Sequence, residues 1–172
     1  MVSKVAALLS KQRKGFSIVE LMVVVMIMAL ILAASIPALK RHTGSVTLVQ
    51  ASEGVAGTLR LARQRAVSTA LPVVVVFGAE AGTYYLFQDS DGDGVLDAGE
   101  TQAGPYELPN GIVFGEIDLD DDDISFSGTG SADESGNIVL VNRNNRAQRI
   151  IINAPTGLVY VSDIFDYGEE EG

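Results

Sequence analysis

The chain has 172 residues, 47% of them hydrophobic, with no cysteine and a formal net charge of −10. That length supports one domain with a modest core, and the lack of cysteine excludes a disulfide framework or a thiolate metal site. Four of the 12 Lys+Arg but none of the 22 Asp+Glu lie in residues 1–15, leaving eight basic against 22 acidic residues beyond Gly15; a surface that acidic repels nucleic-acid phosphate and attracts cations or basic partners.

The chain opens on a basic segment with Lys11, Arg13 and Lys14, followed by Gly15-Phe16-Ser17-Ile18-Val19-Glu20, and Leu21 to Ile36 carries no charge. A membrane span needs about 20 mostly apolar residues, and Phe16 to Leu39 meets that length. A carboxylate within such a run costs a few kcal/mol, so Glu20 needs a reason. A secretory signal peptide has a basic n-region and an apolar h-region, but here the h-region is long and Ala33-Ala34-Ser35 is a poor cleavage site. A plain signal anchor would keep its basic side cytoplasmic, yet it gives Glu20 no role. The stretch Lys14-Gly15-Phe16-Ser17-Ile18-Val19-Glu20-Leu21 resembles a type IV prepilin leader. Such leaders end in Gly before an aromatic residue, with Glu as fifth residue of the mature chain and an unbroken hydrophobic helix behind it.

This resemblance implies a leader over residues 1–15, cut by prepilin peptidase between Gly15 and Phe16, with N-methylation of Phe16. It implies a single inner-membrane span over residues 16–39, with the C-terminal head in the periplasm. It further implies an inner-membrane assembly platform and other pilins or pseudopilins as partners, met through the N-terminal helices. Glu20 would neutralise the terminal ammonium of a neighbouring subunit. Two charges a few ångströms apart in a low-dielectric bundle interact strongly, and either one buried alone is costly, so a single stagger is favoured.

Pro37 follows the apolar run, where an interior proline would bend a helix, and Lys40, Arg41 and His42 mark the membrane exit. Residues 40–71 are expected to continue as an amphipathic helix into the head. Val55, Leu59, Ala62 and Ala66 keep a 3,4 spacing, with Arg60, Arg63 and Arg65 largely off the stripe as a solvated face. Leu71-Pro72 stops the helix. Beyond it the period changes. Val73–Phe77, Thr83–Phe87, Pro105–Leu108, Ile112–Phe114, Ile124–Phe126, Ile138–Val141, Gln148–Ile152 and Leu158–Val161 are expected strands, separated by Gly, Asn, Asp and Ser. The fold class is therefore α+β: a long N-terminal helix, membrane-spanning in its first half and amphipathic in its second, packed on an antiparallel sheet or sandwich over residues 72–165. The acidic tail 166–172 is expected to be disordered.

The order of these elements narrows the resemblance. A helix ending in Arg-Gln-Arg-Ala-Val-Ser leads to a valine-rich strand and an acidic turn. Ser127-Gly128-Thr129-Gly130 and Ala154-Pro155-Thr156-Gly157-Leu158-Val159 follow. The whole is similar to the pseudopilin H/FimT branch of minor pilins. That implies a minor pseudopilin of a type II secretion system or a minor pilin of a type IV pilus, assembled at the tip. The alternative is a tip module capturing DNA or a surface ligand. Some members bind DNA through basic residues near the C-terminus, but Leu158, Val159 and Tyr160 stand there instead. Only Arg143, Arg146 and Arg149 remain as a basic patch, so nucleic acid is not an expected partner.

Asp89-Ser90-Asp91-Gly92-Asp93-Gly94-Val95-Leu96-Asp97-Ala98-Gly99-Glu100 fits the twelve-residue EF-hand loop template. Calcium ligands would come from Asp89, Asp91, Asp93, the Val95 carbonyl, Asp97 directly or through water, and bidentate Glu100. Gly94 sits where the loop needs a positive φ. The preceding Tyr84-Tyr85-Leu86-Phe87 reads as a strand, so residues 89–100 would form a calcium staple between strands rather than a helix-opening sensor. Without an ion the same residues form an acidic hairpin tip. Asp118 and Asp120 to Asp123 lack ligand spacing and read as a solvated loop. No nucleophile elbow, phosphate-binding glycine loop or zinc spacing is present, and no catalytic residue is expected.

Overall fold

The computed structural model describes residues 15–168, leaving aside the side chains of residues 33–43. The leader expected over residues 1–15 lies outside that range apart from Gly15, as do residues 169–172 of the tail. Helix α1 (Ile18–Thr69) is one continuous assignment passing through Pro37. Two compact units, Met1–Lys40 and Arg41–Gly172, divide within it.

In the first unit the described side chains of α1 are exposed. Every large apolar side chain from Phe16 to Leu32 is at least 40% exposed. Among the described residues no helix is long and apolar enough to cross a membrane; the span expected over residues 16–39 runs into residues 33–43, whose side chains lie outside the description.

In the second unit the 3,4 spacing becomes packing. Leu48, Val55, Ala56, Leu59, Ala62 and Ala66 are all fully buried. They meet two antiparallel sheets. One has the order β3-β2-β1-β5 and the other β4-β6-β7-β8, with β9 also on β7. The strands are β1 (Val73–Gly78), β2 (Thr83–Gln88), β3 (Gln102–Glu107), β4 (Ile112–Asp118), β5 (Asp123–Phe126), β6 (Gly136–Asn142), β7 (Arg146–Asn153), β8 (Leu158–Val161) and β9 (Phe165–Asp166). Val73, Val75, Leu86 and Phe126 from the first sheet join Ile138, Leu140, Ile150 and Ile152 from the second around the helix in one core. The expected α+β pilin-like architecture is thus the observed one. β3 begins earlier than its expected Pro105; as an edge strand with a bulge against β2 it tolerates a proline, which has no N–H to donate.

The tail departs from expectation at its start. Phe165 and Asp166 pair with Ala147 and Arg146 of β7, and the Tyr167 N–H donates to the Asn145 carbonyl at 2.9 Å. The reason is apolar. Val139, Val141 and Ala147 form a second buried cluster, and Phe165 and Tyr167 pack against it. Two aromatic rings covering that face outweigh the disordering tendency of the acidic composition.

Candidate functional site

The processing and assembly residues sit at the start of α1. A Cβ added at Gly15 would meet no described atom within 4 Å beyond its chain neighbours, and Phe16 is 79% exposed. Ser17 caps the helix: its hydroxyl accepts the Val19 N–H at 3.3 Å, and its carbonyl accepts the Leu21 N–H at 3.1 Å. Glu20 lies three residues on, in the first turn, which is the Ser-x-x-Glu spacing of a capping box. A carboxylate there also faces the positive end of the helix dipole. Glu20 therefore has a local reason to be acidic that the sequence analysis overlooked, although the spacing was visible.

The acidic loop grows from the end of β2. The Gln88 N–H donates to the Thr101 carbonyl at 3.0 Å and closes the stem, and the Asp89 N–H donates to the Pro72 carbonyl at 3.0 Å. Asp89 is only 3% exposed. Its two carboxylate oxygens accept the Gly92 N–H at 2.7 Å and the Gly94 N–H at 3.0 Å. Gly94 has φ +76°, a conformation that costs glycine little. The Asp93 carboxylate accepts the Val95 N–H at 2.8 Å. The Glu100 carboxylate accepts the N–H groups of Ser90 at 2.6 Å and Asp97 at 3.1 Å.

Of the expected ligands, Asp89, Asp91 and Asp93 converge, each with a carboxylate oxygen within 4.8 Å of the others. Oxygens bound to one calcium at 2.3–2.6 Å can be up to about 5 Å apart, so this trio fits a common ion. Asp97 and Glu100 fall outside it, and the Glu100 carboxylate is turned onto the backbone amides of Ser90 and Asp97. The Asp91 carboxyl is held above the usual carboxylate range, chiefly by the Asp93 carboxylate beside it, with Asp97 and Asp89 adding. The trio stores like-charge repulsion that a cation would relieve.

The other acidic run behaves differently. Asp120–Asp122 form a single 3-10 turn, and Asp120 donates its N–H to Glu134 at 2.8 Å. Burial, followed by Asp133 and Asp121, raises the Asp123 carboxyl. No metal-like grouping involves these residues among those described.

The helix arginines are more than a solvated face, which corrects the expectation for two of them. Arg63 Nε donates to the Gly130 carbonyl at 2.8 Å. Arg60 donates to the Val159 carbonyl at 3.2 Å and pairs with Glu53. The two glycine motifs meet at Arg63: a Cβ on Gly157 would run into both the Gly130 carbonyl and the Arg63 side chain. On the β6–β7 hairpin, Arg146 pairs with Asp166 at 3.1 Å and the Arg149 guanidinium lies 5.1 Å over the Phe165 ring. Two of the three arginines in the basic patch thus serve the C-terminal segment.

The family profile for the type II transport protein GspH matches residues 51–157. The chain belongs to that family. The prokaryotic N-terminal methylation motif matches residues 10–36. Among solved structures, the chain is similar to the minor pseudopilin EpsH from the type 2 secretion system of Vibrio cholerae, at 11% identity over 67% of this chain and 95% of that one, with a TM-score of 0.52. It is also similar to the type IV minor pilin FimU of Pseudomonas aeruginosa, at 14% identity over 70% of this chain and 92% of that one, with a TM-score of 0.56. A comparison with curated protein sequences finds no significant match. The chain is a minor pseudopilin or minor pilin of a type II secretion system or type IV pilus. The family is one of structural, membrane-anchored subunits that assemble with other pilins. A ligand-capturing tip module is not the favoured reading.

Proposed function

We propose that this subunit is cut between Gly15 and Phe16 by prepilin peptidase and methylated at Phe16. It is held in the inner membrane by residues 16–39 with its head in the periplasm, and passes from the assembly platform into the tip of a pilus or pseudopilus. The observation that carries this reading is the bare apolar helix. Side chains from Phe16 to Leu32 are exposed on every face, and water is a poor solvent for such a rod. Lipid covers it first and sibling helices afterwards. Glu20, in the first turn, meets the terminal ammonium of the adjoining subunit and sets the stagger. Intact mass measurement on membranes of the native host tests the reading. A species starting at Phe16 and carrying one added methyl group is expected, and a chain that always retains residues 1–15 overturns it.

The same reading assigns calcium to the acidic loop. Asp89, Asp91 and Asp93 are already drawn together, with the Val95 carbonyl, Asp97 and Glu100 completing the oxygen shell on binding. For Glu100 this requires its carboxylate to leave the amides of Ser90 and Asp97. The ion would staple the strand-flanked loop and stabilise the head.

A further inference from the structure

The turn that leads into β4 holds a chemically labile pair. Asn110-Gly111 is the one Asn-Gly dipeptide in the chain. The Ile112 N–H donates to the Pro109 carbonyl at 3.0 Å, and Gly111 has φ +89°, the conformation that a type II turn asks of glycine. Ile112 pairs with Asn142 of β6, which brings Arg143 alongside. A Cβ on Gly111 would meet Arg143 Nε at 2.9 Å and its Cδ at 3.2 Å, so the arginine side chain lies against the glycine.

Three features leave this pair free to react. Asn110 is exposed, and its side-chain amide makes no hydrogen bond among the described residues. The Gly111 N–H likewise has no acceptor among them, and glycine has no side chain to shield that nitrogen. Arg143 is exposed and makes no ion pair among the described residues, so no carboxylate offsets its charge. The acidic loop supplies the contrast. Asp91-Gly92 and Asp93-Gly94 place a carboxyl carbon at the same spacing from a glycine nitrogen. There, however, the Asp89 carboxylate accepts the Gly92 N–H at 2.7 Å and the Gly94 N–H at 3.0 Å.

We propose that Asn110 is a site of spontaneous covalent modification, at which the chain converts its own asparagine to aspartate and isoaspartate. The Gly111 nitrogen attacks Asn110 Cγ. Its proton passes through water to the side-chain nitrogen, which leaves as ammonia, and a cyclic succinimide remains. Water then opens the ring. Addition at Cγ breaks the newly formed bond and gives aspartate. Addition at the Asn110 backbone carbonyl carbon breaks the original peptide bond and gives isoaspartate, with the chain now running through Cβ and Cγ. One water is consumed for each ammonia released, and nothing is oxidised or reduced. The Arg143 guanidinium favours loss of the Gly111 proton and steadies the negative charge of the tetrahedral intermediate. Either product leaves a carboxylate beside Arg143, the one arginine of the basic patch that the C-terminal segment does not use. The proposal is independent of the assembly reading and of the calcium assignment.

The test uses the full chain in detergent with EDTA, so that Asp89 stays on its glycine amides. The chain is held at neutral pH for days and sampled by peptide mapping with mass spectrometry, isoaspartate being read by enzymatic methyl labelling. Aspartate and isoaspartate are expected to accumulate at position 110 while Asp91 and Asp93 stay unchanged. Arg143→Gln should slow the conversion about two- to fivefold, the worth of an exposed charge contact. Asn110→Gln should stop it over the same period, because the longer side chain must close a larger ring, and neither exposed substitution should move the melting temperature. An Asn110 that survives the incubation intact overturns the site, and aspartate without isoaspartate overturns the cyclic route. An undiminished rate in Arg143→Gln overturns the part given to the arginine. Isoaspartate appearing at Asp91 or Asp93 as fast as at Asn110 overturns selection by a free glycine nitrogen.

Discussion

Asp91 shows how one carboxyl reports on its neighbours. Asp93 makes its proton harder to lose in the folded chain than in the unfolded one. A group whose folded pKa is raised gives its full stabilisation below the unfolded value, near 3.9 for Asp, and loses it as pH rises through the folded value. In EDTA, Asp91→Asn is therefore expected to melt higher than wild type at pH 7 and level with it near pH 3. Millimolar calcium should raise the wild-type melting temperature and leave the variant unmoved; a wild type indifferent to calcium removes the ion from the loop. Burial raises the Asp123 carboxyl in the same direction, so Asp123→Asn should also gain at pH 7, without any calcium dependence. The loop was legible because its ligands sit at fixed spacing within twelve residues. Arg63 was not, because its partner Gly130 is far away in the chain and a lone helix arginine carries no sign of which carbonyl it will meet.

At the scale of the element, the second half of α1 was the most readable part, since its 3,4 spacing and its burial are the same fact seen twice. Leu59 is fully buried within it, and Leu59→Ala should cost about 2–5 kcal/mol by chemical denaturation. Arg63→Ala leaves the Gly130 carbonyl without its donor, and a loss of about 1–3 kcal/mol is expected. The C-terminal segment was the least readable. Its acidic composition hid an alternation in which Phe165 and Tyr167 fall on one side of a strand, and only the apolar outer face of β6 and β7 gives that alternation meaning. The Tyr167 hydroxyl donates to the Gly115 carbonyl at 3.1 Å; Tyr167→Phe should cost about 1 kcal/mol in the same assay.

At the scale of the molecule, the core of the second unit is built, among the described residues, from Leu48 onward. A chain starting at Arg41 is thus expected to fold and melt with the full-length protein while losing its partition into membranes, both measurable by circular dichroism and vesicle flotation. Fold class was legible because the sequence changes period, from 3.6 to 2, once and sharply at Pro72. Which strand joins which sheet was not, because β5 pairs with β1 while β4, its predecessor, pairs with β6, and pairing over such distances leaves no local trace.

The hydrogen bond from the Asp89 N–H to the Pro72 carbonyl has a mechanical consequence. It joins the corner where rod gives way to sheet to the root of the loop, so a tug along the rod loads both at once. In a subunit hauled outward by a growing fibre, that link shares the strain before the valine ladder of β1 feels it. Tweezer extension of the folded head should accordingly record an earlier rupture once Asp89→Pro removes the donor.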